Sequence, residues 1–70
     1  MFTTQNTLTR REFEILELMT EGYSNVKIAQ ILKISANTVK SHCKIIFEKL
    51  GVDNRTAATK KAILEGILWI

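Results

Sequence analysis

The sequence has no proline, a single cysteine, a single histidine and only three glycines among its 70 residues. One cysteine cannot form an internal disulfide, which excludes a disulfide-stabilised secreted scaffold and makes a reducing cytoplasm the expected compartment. No apolar run approaches the stretch of about 20 residues that a membrane-spanning helix needs, and the N-terminus lacks the pattern of a signal peptide. Without a second histidine, a cysteine pair or a spaced cluster of carboxylates, we expect no metal site and no cofactor.

The sequence patterns of common enzymes are missing as well. There is no glycine-rich phosphate loop, no nucleophile elbow and no pair of carboxylates that a rigid scaffold would hold together. The hydrophobic content of 46% fits a compact folded domain rather than a disordered tail, and the length allows one small core. We therefore expect a single domain with a binding function, not an enzyme.

Positive charge is concentrated in the middle of the chain. Residues 1–21 carry two arginines and four glutamates, whereas residues 22–52 carry five lysines and one glutamate. A localised basic segment is typical of a nucleic-acid contact, but lysines are also ordinary solvated surface. The charge pattern alone leaves both interpretations open.

Four helices can be recognised from their ends, and no segment has the alternation of a strand. Each helix follows a side chain that can cap it and stops at a glycine or a short turn. The expected helices cover 10 to about 21, about eight residues from 25, 36 to about 50, and 55 to about 65, with the N-caps Thr9, Ser24, Ser35 and Asn54. Residues 1–7 are expected to form a flexible arm, and the apolar residues 67–70 to pack back on the domain or on a partner.

The third expected helix has two unlike sides. An apolar stripe recurs at helical spacing and must face a core, and it consists of Val39, Cys43, Ile46 and Leu50. The other side carries polar and basic residues in its first turns, and these are Asn37, Lys40, Ser41 and Lys44. The only acid in this helix, Glu48, lies near its far end.

A short helix, a three-residue turn and a longer helix form the architecture of a helix-turn-helix, in which the second helix enters the DNA major groove with its N-terminal half. Lysine can donate to guanine, asparagine can pair with adenine, and serine can donate or accept. A carboxylate in the same place would be repelled by phosphate. The sequence therefore predicts base contacts from Asn37, Lys40, Ser41 and Lys44.

Four motifs in this order resemble the LuxR/NarL type of helix-turn-helix domain: LTRREFEIL (8–16), GYSNVKIA (22–29), ISANTVKSH (34–42) and KLGVDNRT (49–56). The resemblance covers about residues 8 to 68. It implies an all-α, four-helix DNA-binding domain over residues 8–70, whose third helix contacts bases and whose fourth helix commonly forms a dimer contact. At the matching positions it also implies phosphate contacts from Ser24, Asn25, Thr38, His42 and Lys49.

One position departs from the family pattern. Lys27 stands where the family often has a glutamate that completes a capping box with Ser24. A cation near a helix N-terminus costs about 0.3–1 kcal/mol, which a nearby phosphate would offset. Lys27 is therefore a further candidate for phosphate contact, and neutral drift is the alternative.

The fourth helix has an apolar pair on its outward side. With Ala58 and Ala62 turned inward, the outward residues are Thr56, Lys60, Ile63 and Leu64. Exposed apolar residues of this kind suggest a partner surface. We expect a homodimer on DNA, and a two-fold pair predicts an inverted-repeat site.

The sequence thus predicts a bacterial, cytoplasmic, sequence-specific transcriptional regulator that binds double-stranded DNA, with RNA polymerase as a further candidate partner. The alternative is a protein-binding module or antagonist that keeps the helix-turn-helix shape without DNA contact. Because Met1 stands seven residues before the first motif, the sequence favours a stand-alone regulator resembling the small spore-coat regulators over an excised C-terminal domain.

Two other features are expected to be structural, and the role of Ile45 stays open. Cys43 belongs to the apolar stripe and is more typical of a buried small residue than of a redox sensor. The aromatic residues Phe13, Phe47 and Trp69 are expected in the core, away from the basic face. Ile45 points away from the stripe, and its partner could be a thymine methyl, a second subunit or nothing.

Overall fold

The structure, a computed structural model, describes residues 8–66, which form four helices and no strand within that range. The helices are α1 (Arg10–Thr20), α2 (Asn25–Leu32), α3 (Ala36–Leu50) and α4 (Arg55–Leu64). The expected all-α fold with a central helix-turn-helix is confirmed. None of these helices is long and apolar enough to cross a membrane. The arm predicted for residues 1–7 and the tail predicted for residues 67–70 lie outside the described residues.

Each helix begins at the N-cap expected from the sequence. All four capping residues have extended backbone, and each side chain accepts a hydrogen bond from a backbone N–H in the first turn. In α1 the capping box is complete, because Thr9 N also donates to Glu12 Oε1 at 2.9 Å. Capping satisfies N–H groups that have no partner inside a helix, so these local contacts determine where the helices start.

Each of the first three helices is followed by a residue with left-handed backbone conformation. Gly22 follows the C-cap of α1, and Gly51 is the C-cap of α3. Their φ angles of 93° and 73° lie in the left-handed region that glycine enters without a Cβ clash. α2 ends instead at Lys33 with a φ of 60°, the one non-glycine residue with positive φ between residues 8 and 66. Ile34 N then donates to Ala29 O at 3.0 Å, which closes the tight turn of residues 33–35 before α3.

The core is built around α3, which packs against each of the other three helices. Val39 and Ile46 are fully buried, and Cys43 and Leu50 are nearly so. The predicted inward residues of the other helices are also buried, with Leu32 packed against the core from its edge: Ile15, Leu16, Met19, Ile28, Ala29, Ala58 and Ala62. Burial of the whole stripe determines how α3 is rotated about its axis, and hence which residues it exposes.

A partly buried ion pair connects α1 to the last turn of α3. The Glu12 side chain is 6% exposed, and its Oε1 lies 2.8 Å from Lys49 Nζ. Burial by itself would raise the pKa of Glu12, but the hydrogen bonds from Lys49 and Thr9 and the charge of Lys49 outweigh it and hold that pKa below its ordinary value. The spacing of Thr9 and Glu12 in the sequence predicts only a capping role for Glu12. The structure adds a second role, as the acceptor that fixes the end of α3.

A second cation connects α4 to α3. Lys61 Nζ donates to the backbone carbonyl of Leu50 at 2.6 Å. This carbonyl belongs to the last turn of α3, where carbonyl groups lack partners within the helix and carry partial negative charge. The contact therefore stabilises the C-terminus of α3 and fixes α4 beside it.

Replacing Glu12 by glutamine is expected to lower the free energy of unfolding by about 1–2 kcal/mol, because the amide keeps the capping acceptor but loses the charge that pairs with Lys49. Since the pKa of Glu12 is lowered in the folded protein, its contribution is fully present above about pH 5 and is lost as the pH falls below about 4. Urea unfolding of wild type and variant should therefore differ near neutral pH, and the difference should shrink as the pH falls through the lowered pKa of Glu12.

Glu14→Gln is the matched control. Glu14 pairs with Arg10 and Arg11 on the surface of α1, where ion pairs contribute about 0–0.5 kcal/mol. Equal destabilisation by the two substitutions would contradict the role assigned to the Glu12–Lys49 pair.

Candidate nucleic-acid interface

The first turns of α3 present the side chains predicted to contact bases. Asn37, Lys40, Ser41 and Lys44 are all exposed. Lys40 and Lys44 lie one helical turn apart, and neither forms an ion pair within residues 8–66. With Val39 and Cys43 buried behind them, these lysines face solvent, and α3 has no acidic residue before Glu48.

An open groove of about 560 Å³ runs along this side of α3 and reaches the first residues of α2 and α4. It is lined by Asn25, Lys40, Ser41, Cys43, Lys44, Phe47 and Arg55. Three of the four predicted base-facing residues thus share a surface with Asn25, a predicted phosphate contact. Asn37 is exposed but is not part of the lining.

The cations of the described chain fall into two sets. Those with acidic or carbonyl partners are Arg10, Arg11, Lys49, Lys61 and Arg55. Those that are exposed and have no ion pair within residues 8–66 are Lys27, Lys33, Lys40, Lys44 and Lys60. Four of the second set lie on α2, α3 and the turn between them, so the helix-turn-helix carries the positive charge that is available to an anionic partner.

The N-termini of α2 and α3 carry hydroxyl groups among the predicted phosphate contacts. Ser24 Oγ accepts from Lys27 N at 3.2 Å, which leaves its hydroxyl proton for another acceptor. In α3 the Thr38 Oγ1 lies 2.8 Å from Ser35 Oγ, so the two hydroxyls share one hydrogen bond. Lys27 occupies the third position of α2, and the first turn of this helix has no acidic residue. These groups are compatible with an anion, and their phosphate contacts stay predictions.

Lys49 and His42 have surroundings that the sequence did not indicate. The Lys49 side chain is 30% exposed, and its ammonium group is engaged by Glu12, so a phosphate would compete with a carboxylate for it. His42 is half-buried, and its Nδ1 atom is buried without a hydrogen-bond partner in the described part of the chain. The phosphate contacts of both residues stay predictions.

Arg55 is a functional candidate that sequence reasoning missed. Its guanidinium Nη1 donates to Asn25 Oδ1 at 2.9 Å, and its Nη2 donates to the backbone carbonyl of Tyr23. Asn25 Oδ1 also lies 3.8 Å from Cys43 Sγ. The sequence did indicate Arg55, which lies in the last of the four motifs. It could not indicate the partner, because Asn25 lies 30 residues away along the chain.

Phe47 corrects the expectation that the aromatic residues lie away from the basic face. It is half-buried and packs against the core, yet it also lines the groove beside Lys40 and Lys44. The physical reason is helical spacing, because Phe47 lies three residues after Lys44 and so on the same side of α3. Phe13 packs against the core as expected, and Trp69 lies outside the described residues.

The outward side of α4 has the exposure expected of a partner surface. Ile63 and Leu64 are 63% and 73% exposed, and Thr56 and Lys60 are exposed as well. Ile45 on α3 is 41% exposed and has no assigned partner. The dimer contact of α4 stays a prediction.

Comparison with known proteins agrees with this geometry. A family model described as "Bacterial regulatory proteins, luxR family" matches residues 6–62. Among curated proteins, the transcriptional regulatory protein DegU of Brevibacillus brevis is 49% identical over 63 residues, which is 90% of this chain and 26% of that protein. The chain therefore spans about a quarter of the length of this relative.

Cys43 is expected to be almost inert in the folded protein although it borders the groove. Cys43 is 5% exposed. Burial raises the pKa of its thiol, and the positive charge of Arg55 offsets this rise only in part. The reactive thiolate is therefore scarce at neutral pH, and alkylation by iodoacetamide should be at least about tenfold slower than in urea-unfolded protein. Because the chain has one cysteine, the measured rate belongs to this thiol. Equal rates in both states would contradict its burial.

Proposed function

The chain belongs to the luxR family of bacterial regulatory proteins, and from this premise we propose that it recognises a specific DNA site with α3 in the major groove and binds that site as a dimer through α4. The family makes the chain a DNA-binding domain of transcription regulation and not an enzyme. The docking geometry, the dimer and the residues in contact with DNA are the proposal.

The observation that carries the proposal is the surface of α3. Lys40 and Lys44 are exposed one turn apart without ion pairs in the described chain, and the buried stripe lies behind them. A lysine in this position can donate to guanine O6 and N7, and Ser41 and Asn37 supply smaller hydrogen-bonding groups. The first acidic residue of α3 is Glu48, near the C-terminus of the helix. If α3 lies in the groove with its N-terminal half, this part of the helix is too far from the bases to contact them.

Phosphate contacts would fix the position of the domain on the duplex. The candidates lie in the first turns of two helices, where N–H groups and the helix dipole favour an anion. They are Ser24, Asn25 and Lys27 at the start of α2 and Thr38 at the start of α3. His42 and Lys49 remain in the proposed set with less structural support, because one is half-buried and the other is paired with Glu12.

The dimer is supported by the apolar pair at the outward end of α4. Ile63 and Leu64 are the two most exposed large hydrophobic residues in the described range, and Thr56 and Lys60 extend the surface along the same helix. A two-fold pair of this kind would bind an inverted repeat. Cytoplasmic location and contact with RNA polymerase complete the proposal.

The rival function is an antagonist that keeps the fold and binds a protein instead of DNA. Such a module would replace the lysines of α3 by apolar residues, whereas Lys40 and Lys44 are present and solvent-exposed. Mobility of duplex DNA across a salt series separates the two functions, because a DNA-binding domain loses affinity steeply as salt rises. An antagonist would bind no DNA at any salt concentration.

Lys40→Ala and Lys44→Ala are each expected to weaken binding to the specific site and to relax the preference at one base pair of each half-site, because each base contact contributes about 1–3 kcal/mol of discrimination. The measurement is selection of binding sites from a random library, with wild type and both variants in parallel. Ser41→Ala should have a smaller effect, since a short side chain can act through water.

Lys27→Ala is the matched control for charge. It removes the same unit charge from a proposed phosphate contact, so it should weaken binding to all sequences alike and lower the salt slope by about one. If Lys40→Ala and Lys44→Ala select the wild-type consensus at merely lower affinity, these lysines contact only phosphate, and base recognition would have to be assigned to Asn37, Ser41 or Ile45.

Ile63→Asp or Leu64→Asp is expected to leave the fold intact, since both side chains are exposed, but to reduce affinity for a paired site more than for an isolated half-site. The reason is that a charge at the two-fold axis would face its own copy across an apolar contact. Ile31→Asp places the same charge on an exposed position of α2 and should affect both DNAs equally. An equal loss for the α4 variants would count against dimerisation through this helix.

A further inference from the structure

Four segments of the chain meet at the start of α2. Arg55, the first residue of α4, donates from Nη1 to Asn25 Oδ1 at 2.9 Å and from Nη2 to the carbonyl of Tyr23 in the loop before α2. Cys43 of α3 approaches the same Oδ1 with its Sγ at 3.8 Å. Arg55 therefore connects α4 to the segment that carries Ser24, Asn25 and Lys27.

The chemistry of these groups fixes the orientation of the Asn25 amide. A guanidinium has donors only, so the amide oxygen and not the amide nitrogen must face Arg55. The Nδ2 group of Asn25 has no hydrogen-bond partner within the described chain. It is also accessible from outside, because the buried side-chain atom without a partner in this part of the chain is His42 Nδ1. Two N–H donors are thus available to an acceptor from outside, on a residue that lines the groove with Lys40 and Lys44.

We propose that Arg55 is a positioning residue for DNA binding: it holds Asn25 by Oδ1 and the Tyr23 carbonyl so that Asn25 Nδ2 donates to a DNA phosphate. This inference rests on the proposed function, in which the start of α2 contacts the DNA backbone. It assigns a role to a residue that does not itself contact DNA. The guanidinium of Arg55 donates to groups of the protein itself, and the neutral amide of Asn25 is the group that contacts the phosphate.

The competing role for Arg55 is a phosphate contact of its own, since it is half-buried rather than enclosed. The two roles differ in their electrostatics. A cation that neutralises a phosphate releases counterions and adds about 0.9 to the slope of log affinity against log salt. A positioning arginine that acts through a neutral amide leaves this slope unchanged when it is removed.

The experiment compares Arg55→Met, Asn25→Ala and the double variant on duplex DNA of random sequence across a salt series. Random DNA is the suitable probe because phosphate contacts carry no sequence information. Each single variant is expected to lose about tenfold in affinity, the value for a hydrogen bond to a charged group. The double variant should lose no more than either single variant, because both substitutions remove the same contact, and the salt slope should equal that of wild type.

Two further variants serve as controls. Arg55→Lys keeps the charge but lacks the planar fork that holds two acceptors, so it should bind as weakly as Arg55→Met. Arg10→Met removes one unit of charge from an arginine of α1 that is 94% exposed, and it should bind like wild type. Thermal unfolding of every variant gives the folded fraction, to which each affinity is referred.

A spectroscopic measurement separates positioning from mere stability. In nitrogen-labelled wild type the side-chain NH₂ resonance of Asn25 should shift when DNA is added, and in Arg55→Met this shift should be lost although the protein is folded. If Arg55→Met were less stable but its folded fraction bound DNA with wild-type affinity, the inference would be overturned. Additive losses with a salt slope reduced by about one would also overturn it. If wild type bound no DNA, the proposed function would fail together with the inference, whereas the other two outcomes overturn the inference alone.

Discussion

The burial of one stripe of α3 is the constraint on which the rest of the structure depends. Val39 and Ile46 are fully buried, and Leu50 is 1% exposed. Burying an aliphatic side chain of this size stabilises the fold by about 1.5–3 kcal/mol, while an exposed ion pair contributes about 0–1 kcal/mol. Packing therefore decides the rotation of α3, and the exposure of Lys40 and Lys44 follows from helical geometry. No attractive interaction within the domain is needed to hold these lysines outward.

The same hierarchy explains why some cations have partners and others do not. Lys49 and Lys61 are held at the C-terminal end of α3, by Glu12 and by the Leu50 carbonyl. Cations there complement the partial negative charge of the helix terminus. The N-terminal half of α3 has no such arrangement, and Lys40 and Lys44 face solvent without an ion pair in the described part of the chain. One end of the helix is thus tied into the domain, and the other end is left with unneutralised charge for a polyanion.

Local contacts could be predicted from the sequence, and contacts between distant segments could not. The caps at Thr9, Ser24, Ser35 and Asn54 depend on residues three apart, so their spacing is visible in the chain. The buried stripes follow from the helical period alone. The Glu12–Lys49 pair and the Arg55–Asn25 contact join residues 37 and 30 positions apart, and neither pairing follows without the angles between helices. The turn between α2 and α3 was expected, but the left-handed backbone of Lys33 was not, because the residue that usually marks such a position is glycine.

α4 illustrates how a helix with little amphipathic character is fixed in place. Its buried residues are the small Ala58 and Ala62, which allow a close approach but bury little apolar area. Two long cations supply additional fixed contacts: Arg55 at its start reaches the segment before α2, and Lys61 near its end reaches the last carbonyl of α3. Both ends of α4 are therefore tied to the elements that carry the proposed DNA contacts. A partner bound to Ile63 and Leu64 would then meet a helix whose direction is already fixed relative to α3. In the proposed dimer, the distance between the two copies of α3 on DNA would therefore be determined by the fold of each chain and not by a hinge between the chains.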